Sequence, residues 1–305
     1  MLYLVLASLL WGTTGTAASF LPASVSPLAT GAATMGVGGA LLLVVGWRRA
    51  LPILRSRAAL PWIVFGAVGV VIYPLAFYSA MSTAGVAVGN VVSLGSAPVF
   101  AALFEFAIER TRLTVRWSIA TALAVAGVAA LGITGDVAHS GSDAAGSDSG
   151  SPMLGVGLAL VAGLSYAGYT YAARRLLQQG HPSGGVVGAV FGVGAVPLLV
   201  VLLVVGAPIL QTGSSIGITL YLAIGPMFAA YLLFGRGLRR VSSSTATTIT
   251  LLEPVVATVL AVVVVGERLD APAWFGVAAI LLGILIMIVR PRPRAARVPR
   301  LSGGG

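Results

Sequence analysis

The chain of 305 residues contains no cysteine and no lysine. Without cysteine there is no disulfide, no thiolate nucleophile and no Cys-ligated metal. Without lysine there is no P-loop of the usual type, and so no ATP site of that kind. Histidine occurs only as His139 and His181, both in polar connections, which leaves the apolar segments without an imidazole to bind a metal or relay a proton. No catalytic residue, no metal site and no cofactor is expected. Charge is also scarce: 9% of residues are ionisable Asp, Glu, Lys or Arg, where a soluble protein has about a quarter. No polar stretch is long enough to fold alone outside a membrane, which excludes an appended catalytic domain.

What fills the chain is hydrocarbon. Apolar residues make up 58%, and the mean hydropathy is +1.02. A spanning helix needs about 20 apolar residues. Reading apolar runs between polar or Pro/Gly punctuation predicts ten spans, near 1–20, 27–47, 60–80, 85–107, 117–134, 153–173, 184–205, 215–235, 242–265 and 272–289. The first begins without a basic leader and ends without a cleavage signal, so it is read as a retained helix. The fold class expected is an all-α integral membrane protein.

The 18 positive charges are all arginine, and they are not scattered. With the N-terminus inside, 17 of them fall where even-numbered spans end, from Arg48, Arg49, Arg55 and Arg57 to the tail Arg290, Arg292, Arg294, Arg297 and Arg300. Only Arg268 lies on the other side. Short cytoplasmic connections retain positive charge, so both termini are expected in the cytoplasm. The clustering also removes any reason to read the charge as a nucleic-acid footprint. The organisation expected is a first five-helix unit over 1–134, an extracytoplasmic Gly/Ser/Asp linker over 135–152, a second five-helix unit over 153–289, and a cytoplasmic Pro/Arg tail over 290–305. Abundant Ala, Gly and Arg with no Lys points to a bacterium of high genomic GC content, hence to an inner (plasma) membrane location.

The chain matches itself at a constant offset of 156 residues without a gap. Gly36-Val37-Gly38 meets Gly192-Val193-Gly194, Pro52-Ile53-Leu54 meets Pro208-Ile209-Leu210, Pro98-Val99 meets Pro254-Val255, and Arg112-Leu113 meets Arg268-Leu269. Each copy has an odd number of spans, so the second must enter the membrane upside down. The loop charges agree, because Arg48 to Arg57 project onto the uncharged stretch 204–213. Two inverted copies that exchange slightly different shapes open a shared midplane cavity to alternate sides. Alternating access is thus expected from the repeat alone.

The sequence resembles the drug/metabolite transporter superfamily, in particular its EamA-type members with two five-helix repeats. The resemblance is carried by Leu10-Trp11-Gly12, Ala97-Pro98, Leu252-Glu253-Pro254 and Gly266-Glu267-Arg268-Leu269, followed by Gly276 and Gly283. It covers almost the whole chain except the linker and the tail. The first copy departs from the pattern, with Arg110-Thr111-Arg112-Leu113 in place of Gly-Glu-Arg-Leu. The resemblance implies helices around a central cavity, a substrate range of amino acids, other small metabolites and drugs, and often export.

Glu253 stands out because an ionised carboxylate near the middle of a span costs at least about 2.5 kcal/mol in lipid. It should therefore face protein or water. One reading is that desolvation lets it exchange a proton during transport; the other is a neutral or hydrogen-bonded Glu that holds the break made by Pro254. Pro98 and Pro254 occupy equivalent depths and are read as hinges. Asn90 and Ser93 lie one turn apart on the fourth span, with Thr247, Thr248 and Thr250 at comparable positions on the ninth; interhelical packing and substrate contact compete for all of them. Among the aromatic residues Trp11, Tyr73, Phe77, Tyr78, Tyr166, Tyr169, Phe228 and Tyr231, several sit deeper than an interfacial belt would place them. The substrate-binding candidates are Trp11, Tyr78, Asn90, Ser93, Tyr166, Tyr169 and Tyr231. The small-residue stripes Gly184/Gly188/Gly192 and Ala32/Gly36/Ala40 read as scaffold. Glu105 and Glu109 read as surface partners for Arg110 or Arg112, with a gate as the alternative.

The function these features favour is a secondary transporter of a small organic solute. A membrane-embedded enzyme would need clustered acids, histidines or a nucleophile with its base, whereas the spans hold only Glu105 and Glu253, at different depths. A purely structural membrane protein would need no inverted repeat. The partners expected are a small-molecule substrate and the lipid bilayer, with no nucleic acid and with a homodimer left open.

Overall fold

A computed structural model describes residues 1–84, 86–139, 152–265 and 271–289. Among these residues the chain forms ten helical rods and no strand. They are α1 (Leu2–Ala18), α2 (Pro27–Leu54), α3 (Leu60–Ala84), α4 (Val86–Glu109), α5 (Val115–His139), α6 (Pro152–Gln178), α7 (Ser183–Val205), α8 (Gly213–Leu238), α9 (243–265) and α10 (Ala271–Ile288). Every apolar run read from the sequence is such a rod, although α5 continues to His139, beyond the end of its run. Eight of the rods are long and apolar enough to cross a membrane, and α1 and part of α5 are shorter apolar helices. Large apolar side chains such as Val64, Leu103, Phe106, Leu203 and Phe275 face outward. In water that surface would be untenable; against acyl chains it is the expected exterior. The chain is a multi-pass membrane protein.

Local chemistry sets the ends of the rods. Ser26, Thr212 and Ser242 each accept a hydrogen bond from a backbone N–H three residues on, at 3.1, 3.2 and 3.1 Å, which caps α2, α8 and α9. At the end of α6, Gly180 adopts φ +88°, and His181 N–H reaches the Leu176 carbonyl at 3.4 Å. That closing turn requires a residue without Cβ.

Two rods are irregular where proline withdraws a donor. In α8 a π-helical turn, Ala223–Ala229, surrounds Pro226. In α9 the helix Ser243–Thr250 stops, Leu251 makes a tighter bond to Thr248 O at 3.3 Å, and a new helix, Leu252–Leu260, follows. Pro254 has no N–H for the Thr250 carbonyl, which is why the break falls there. Pro98, at the equivalent depth of α4, lies within an unbroken helix from Val86 to Glu109.

The packing obeys the internal repeat. α2 packs on its own repeat mate α7, and α5 on its mate α10. α3 and α4 pack on α6, and correspondingly α8 and α9 pack on α1. The direction of each mated pair is fixed by residue contacts. A Cβ on Gly127 would stand 2.5 Å from the Gly276 carbonyl, and one on Gly283 would stand 2.5 Å from the Ala120 carbonyl. Moving back along α5 therefore moves forward along α10. The four residues are also repeat mates, since 120 projects onto 276 and 127 onto 283. In α2 and α7, Gly36 meets Leu199 and Gly192 meets Leu43, again two contacts that exchange under the offset. Mates that cross antiparallel and exchange with each other define a two-fold axis perpendicular to the helices. The repeats are inverted, and Gly39 against Ala195, themselves mates, marks where the axis crosses α2 and α7.

The described arginines gather at one end of this bundle. Arg116 on α5 donates to the Ile286, Met287 and Val289 carbonyls at the finish of α10. Arg174 on α6 donates to Leu238 and Val241 in the α8–α9 connection, and Arg49 lies against Gly184 and Gly185 at the start of α7. At the other end of α7, Ile209 packs with Val25 and Ala29 at the start of α2. Segments 48–57 and 204–213 therefore occupy opposite ends.

Candidate functional site

The bundle encloses a cavity near the middle of its helices. About 100 Å³ of it is open to the centres of water molecules, where a single buried water needs about 10–15 Å³. It has room for several waters or a small solute. Trp11 and Thr14 come from α1, Thr34 and Met35 from α2, and Tyr73, Pro74, Phe77 and Tyr78 from α3. The second repeat supplies Tyr166 and Tyr169 from α6, Leu222, Pro226, Met227 and Tyr231 from α8, and Glu253 from α9.

Seven of the fifteen lining residues are aromatic, and their rings pack on one another. Trp11 lies 5.0 Å from Tyr231, Tyr73 lies 5.7 Å from Tyr166 and 6.0 Å from Tyr169, and Tyr166 lies 5.2 Å from Tyr169, measured between centroids. Two hydrogen bonds lock the rings. The hydroxyls of Tyr169 and Tyr231 meet at 2.7 Å. The Tyr166 hydroxyl meets Thr250 Oγ1 at 2.9 Å, and Thr250 Oγ1 also lies 2.9 Å from the Thr247 carbonyl.

Glu253 sits beside the α9 break, in the first turn of the helix Leu252–Leu260. Gly12 makes room for it: a Cβ there would stand 2.4 Å from Val256 Cβ and 3.0 Å from the Glu253 carbonyl. Thus Trp11-Gly12 joins a cavity wall to the close approach of α1 and α9. The Glu253 carboxylate makes no hydrogen bond or ion pair to any described residue. Of the two sequence readings, a hydrogen bond bracing the Pro254 break is not what is seen.

The cavity is sealed toward the arginine-bearing end. Below it Phe234, Leu238, Ala246, Ile249 and Leu4 are fully buried. Toward the opposite end, Thr14, Phe77 and Tyr78 are partly exposed. The sealed end also has polar latches. Glu105 is 5% exposed and accepts from Ser244 N at 3.0 Å and Ser244 Oγ at 2.6 Å, at the start of α9. A carboxylate at a helix N-terminus completes orphan N–H groups and matches the helix dipole. Glu109 pairs with Arg175 at 3.5 Å and accepts from Tyr171 at 3.2 Å. The sequence reading of both acids as surface partners of Arg110 or Arg112 is corrected accordingly: packing of α4 on α6 and α9 brings other partners within reach.

The structure brings Trp11, Tyr78, Tyr166, Tyr169, Tyr231 and Glu253 to one cavity. It does not bring Asn90 or Ser93 there. Asn90 borders a separate space behind Pro254, with Val91, Val128 and Thr258. Ser93 is fully buried, with its hydroxyl unpartnered among the described residues, and its backbone faces Gly163 of α6. Thr248 bonds Thr121 of α5 at 2.9 Å, an interhelical tie. Sequence reasoning left Thr14, Thr34, Met35, Tyr73, Pro74, Phe77, Leu222, Pro226 and Met227 out of the site. Pro74 and Pro226, each inside an apolar run, were the available signal. Gly266-Glu267-Arg268-Leu269, residues 140–151 of the 135–152 linker and the tail 290–305 lie outside the described residues.

This architecture has known counterparts. The chain matches the EamA-like transporter family over residues 1–133 and 153–289, once for each half. The chain belongs to this family. It is 35% identical over 292 residues to the uncharacterized transporter YwfM of Bacillus subtilis, a match that spans 95% of this chain and 94% of that one. An uncharacterized transporter of Clostridium kluyveri is 30% identical over 137 residues, spanning 44% of this chain and 43% of that protein. A crystal structure covering 94% of this chain and 95% of its own superposes with a TM-score of 0.75 at 24% identity, which places the fold. Membership of the EamA-like family makes the protein a transporter.

Proposed function

We propose that the protein is a secondary transporter that moves a small organic metabolite by alternating access, with the central cavity as the binding site. The observation that carries this reading is a solute-sized cavity between two inverted repeats, walled by side chains from both. The pseudo-two-fold axis gives the means: if each repeat takes the other's shape, the sealed end opens and the open end seals. The Glu105–Ser244 latch between α4 and α9 would then part.

Glu253 is the proposed proton carrier, facing a cavity whose described lining includes Tyr73, Tyr78, Tyr166 and Tyr231 and no basic residue. The arginine-bearing end is taken as cytoplasmic, in a bacterial inner membrane, because translocated loops exclude arginine. Export is the proposed direction, as the resemblance to EamA-type transporters implies. Pro254, at the α9 break, is the proposed hinge, with Pro98 flexing at the equivalent depth of α4.

In vesicles with an imposed pH gradient, metabolite-driven flux through the wild type should respond to the gradient, and Glu253→Gln should transport without that response. A variant that keeps the full gradient dependence removes the proton role. No gradient-dependent or independent flux of any metabolite in the wild type removes the transport mechanism.

A further inference from the structure

We infer that the central cavity receives an organic cation, an amine or quaternary ammonium solute that carries no carboxylate of its own. This deepens the transport reading and rests on it. The charge pattern of the site is the starting point. Among the described residues that line it, Glu253 is the only carboxylate, none pairs with it, and none is an arginine or a histidine. A guest carboxylate would be buried beside a like charge with no counter-ion, the arrangement that buried charges avoid. A cation would complete an ion pair that the protein leaves open.

The rings supply the second argument. Trp11, Tyr73, Tyr166, Tyr169 and Tyr231 crowd the same volume with centroids 5.0 to 6.2 Å apart. Their faces carry the negative lobe of the ring quadrupole, and desolvated cages of this kind hold alkylammonium groups.

These two features, an unpaired carboxylate and a cluster of aromatic rings, are independent in origin and select the same sign of charge.

The test is equilibrium binding by calorimetry to the full-length protein in micelles. The probes are choline, its uncharged carbon isostere 3,3-dimethylbutan-1-ol, the zwitterion glycine betaine, and benzyltrimethylammonium as a larger cation. At least one cation should bind about tenfold or more tightly than both the neutral and the zwitterionic probe, the effect of one desolvated cation–π or ion-pair contact. Glu253→Gln and Tyr73→Leu should each erase that preference, and Tyr73→Phe, which keeps the ring face, should retain it. Equal or tighter binding of the neutral or zwitterionic probe, or no binding of any probe, overturns the assignment. Flux assays in vesicles separate the two readings: cation binding without flux would sink the transport mechanism alone, while flux of a zwitterion without cation binding would sink the cation assignment alone.

Discussion

Glu105→Gln tests whether the sealed end is held shut by the α4–α9 latch. In the structure the buried carboxylate accepts from Ser244 N and from Ser244 Oγ. Hydrogen bonds to a charged group are worth about 1.5–3 kcal/mol, against about 0.5–1.5 kcal/mol for neutral ones. Removing the charge also gives up about 0.3–1 kcal/mol of favourable interaction with the α9 helix dipole. Glutamine keeps one acceptor, so the sealed state should lose about 1–2 kcal/mol, a factor of about 5–30 in the opening equilibrium. The absence of cysteine makes the readout free of background. Thr247→Cys places a thiol at a position that is 1% exposed, between the latch and the Tyr166–Thr250 bond. Its rate of modification by a membrane-impermeant maleimide from the arginine-bearing face should rise by that factor when Glu105→Gln is added. An unchanged rate in a monodisperse, folded variant would refute the latch, whatever happens to stability.

Two further outcomes follow from the geometry. Tyr169→Phe and Tyr231→Phe should each lower thermal stability in detergent by about 1–3 kcal/mol, because each strands a buried hydroxyl, while the double variant should lose less than the sum; additive losses would mean that the 2.7 Å contact is not an interaction that matters. Cysteines placed at Pro52 and Pro208, which are repeat mates, should be modified from opposite faces of the membrane, and modification of both from one face would dismantle the inverted arrangement.

Much of this was legible in the sequence for a simple reason. In a bilayer every backbone polar group must be satisfied within its own helix, so apolar runs and helices coincide, as they do for all ten rods. The offset of 156 residues gave the two-fold relation because Gly and Pro report on backbone geometry. Gly36 and Gly192 are matched in sequence and meet mutually exchanged leucines in space. Depth pointed to Trp11, Tyr78, Tyr166, Tyr169 and Tyr231, but it did not single out Tyr73 and Phe77, which line the same cavity. Ser93 and Asn90 were not separable from Tyr166 by depth, because they differ in the direction they face, and period and span position do not specify rotation against neighbours.

The sequence by itself determined the number of helices, the end at which arginine collects and the inversion of the repeat, since each follows from how a chain meets lipid. The tertiary structure decided which of many buried polar groups share one space. Glu253 and Glu105 are both carboxylates within apolar segments, yet Ser244 and the α9 N-terminus claim Glu105, while Glu253 faces rings and open volume. That difference depends on which helices pack on α4 and α9, and so on contacts between residues as far apart as Glu105 and Ser244, which no local pattern encodes.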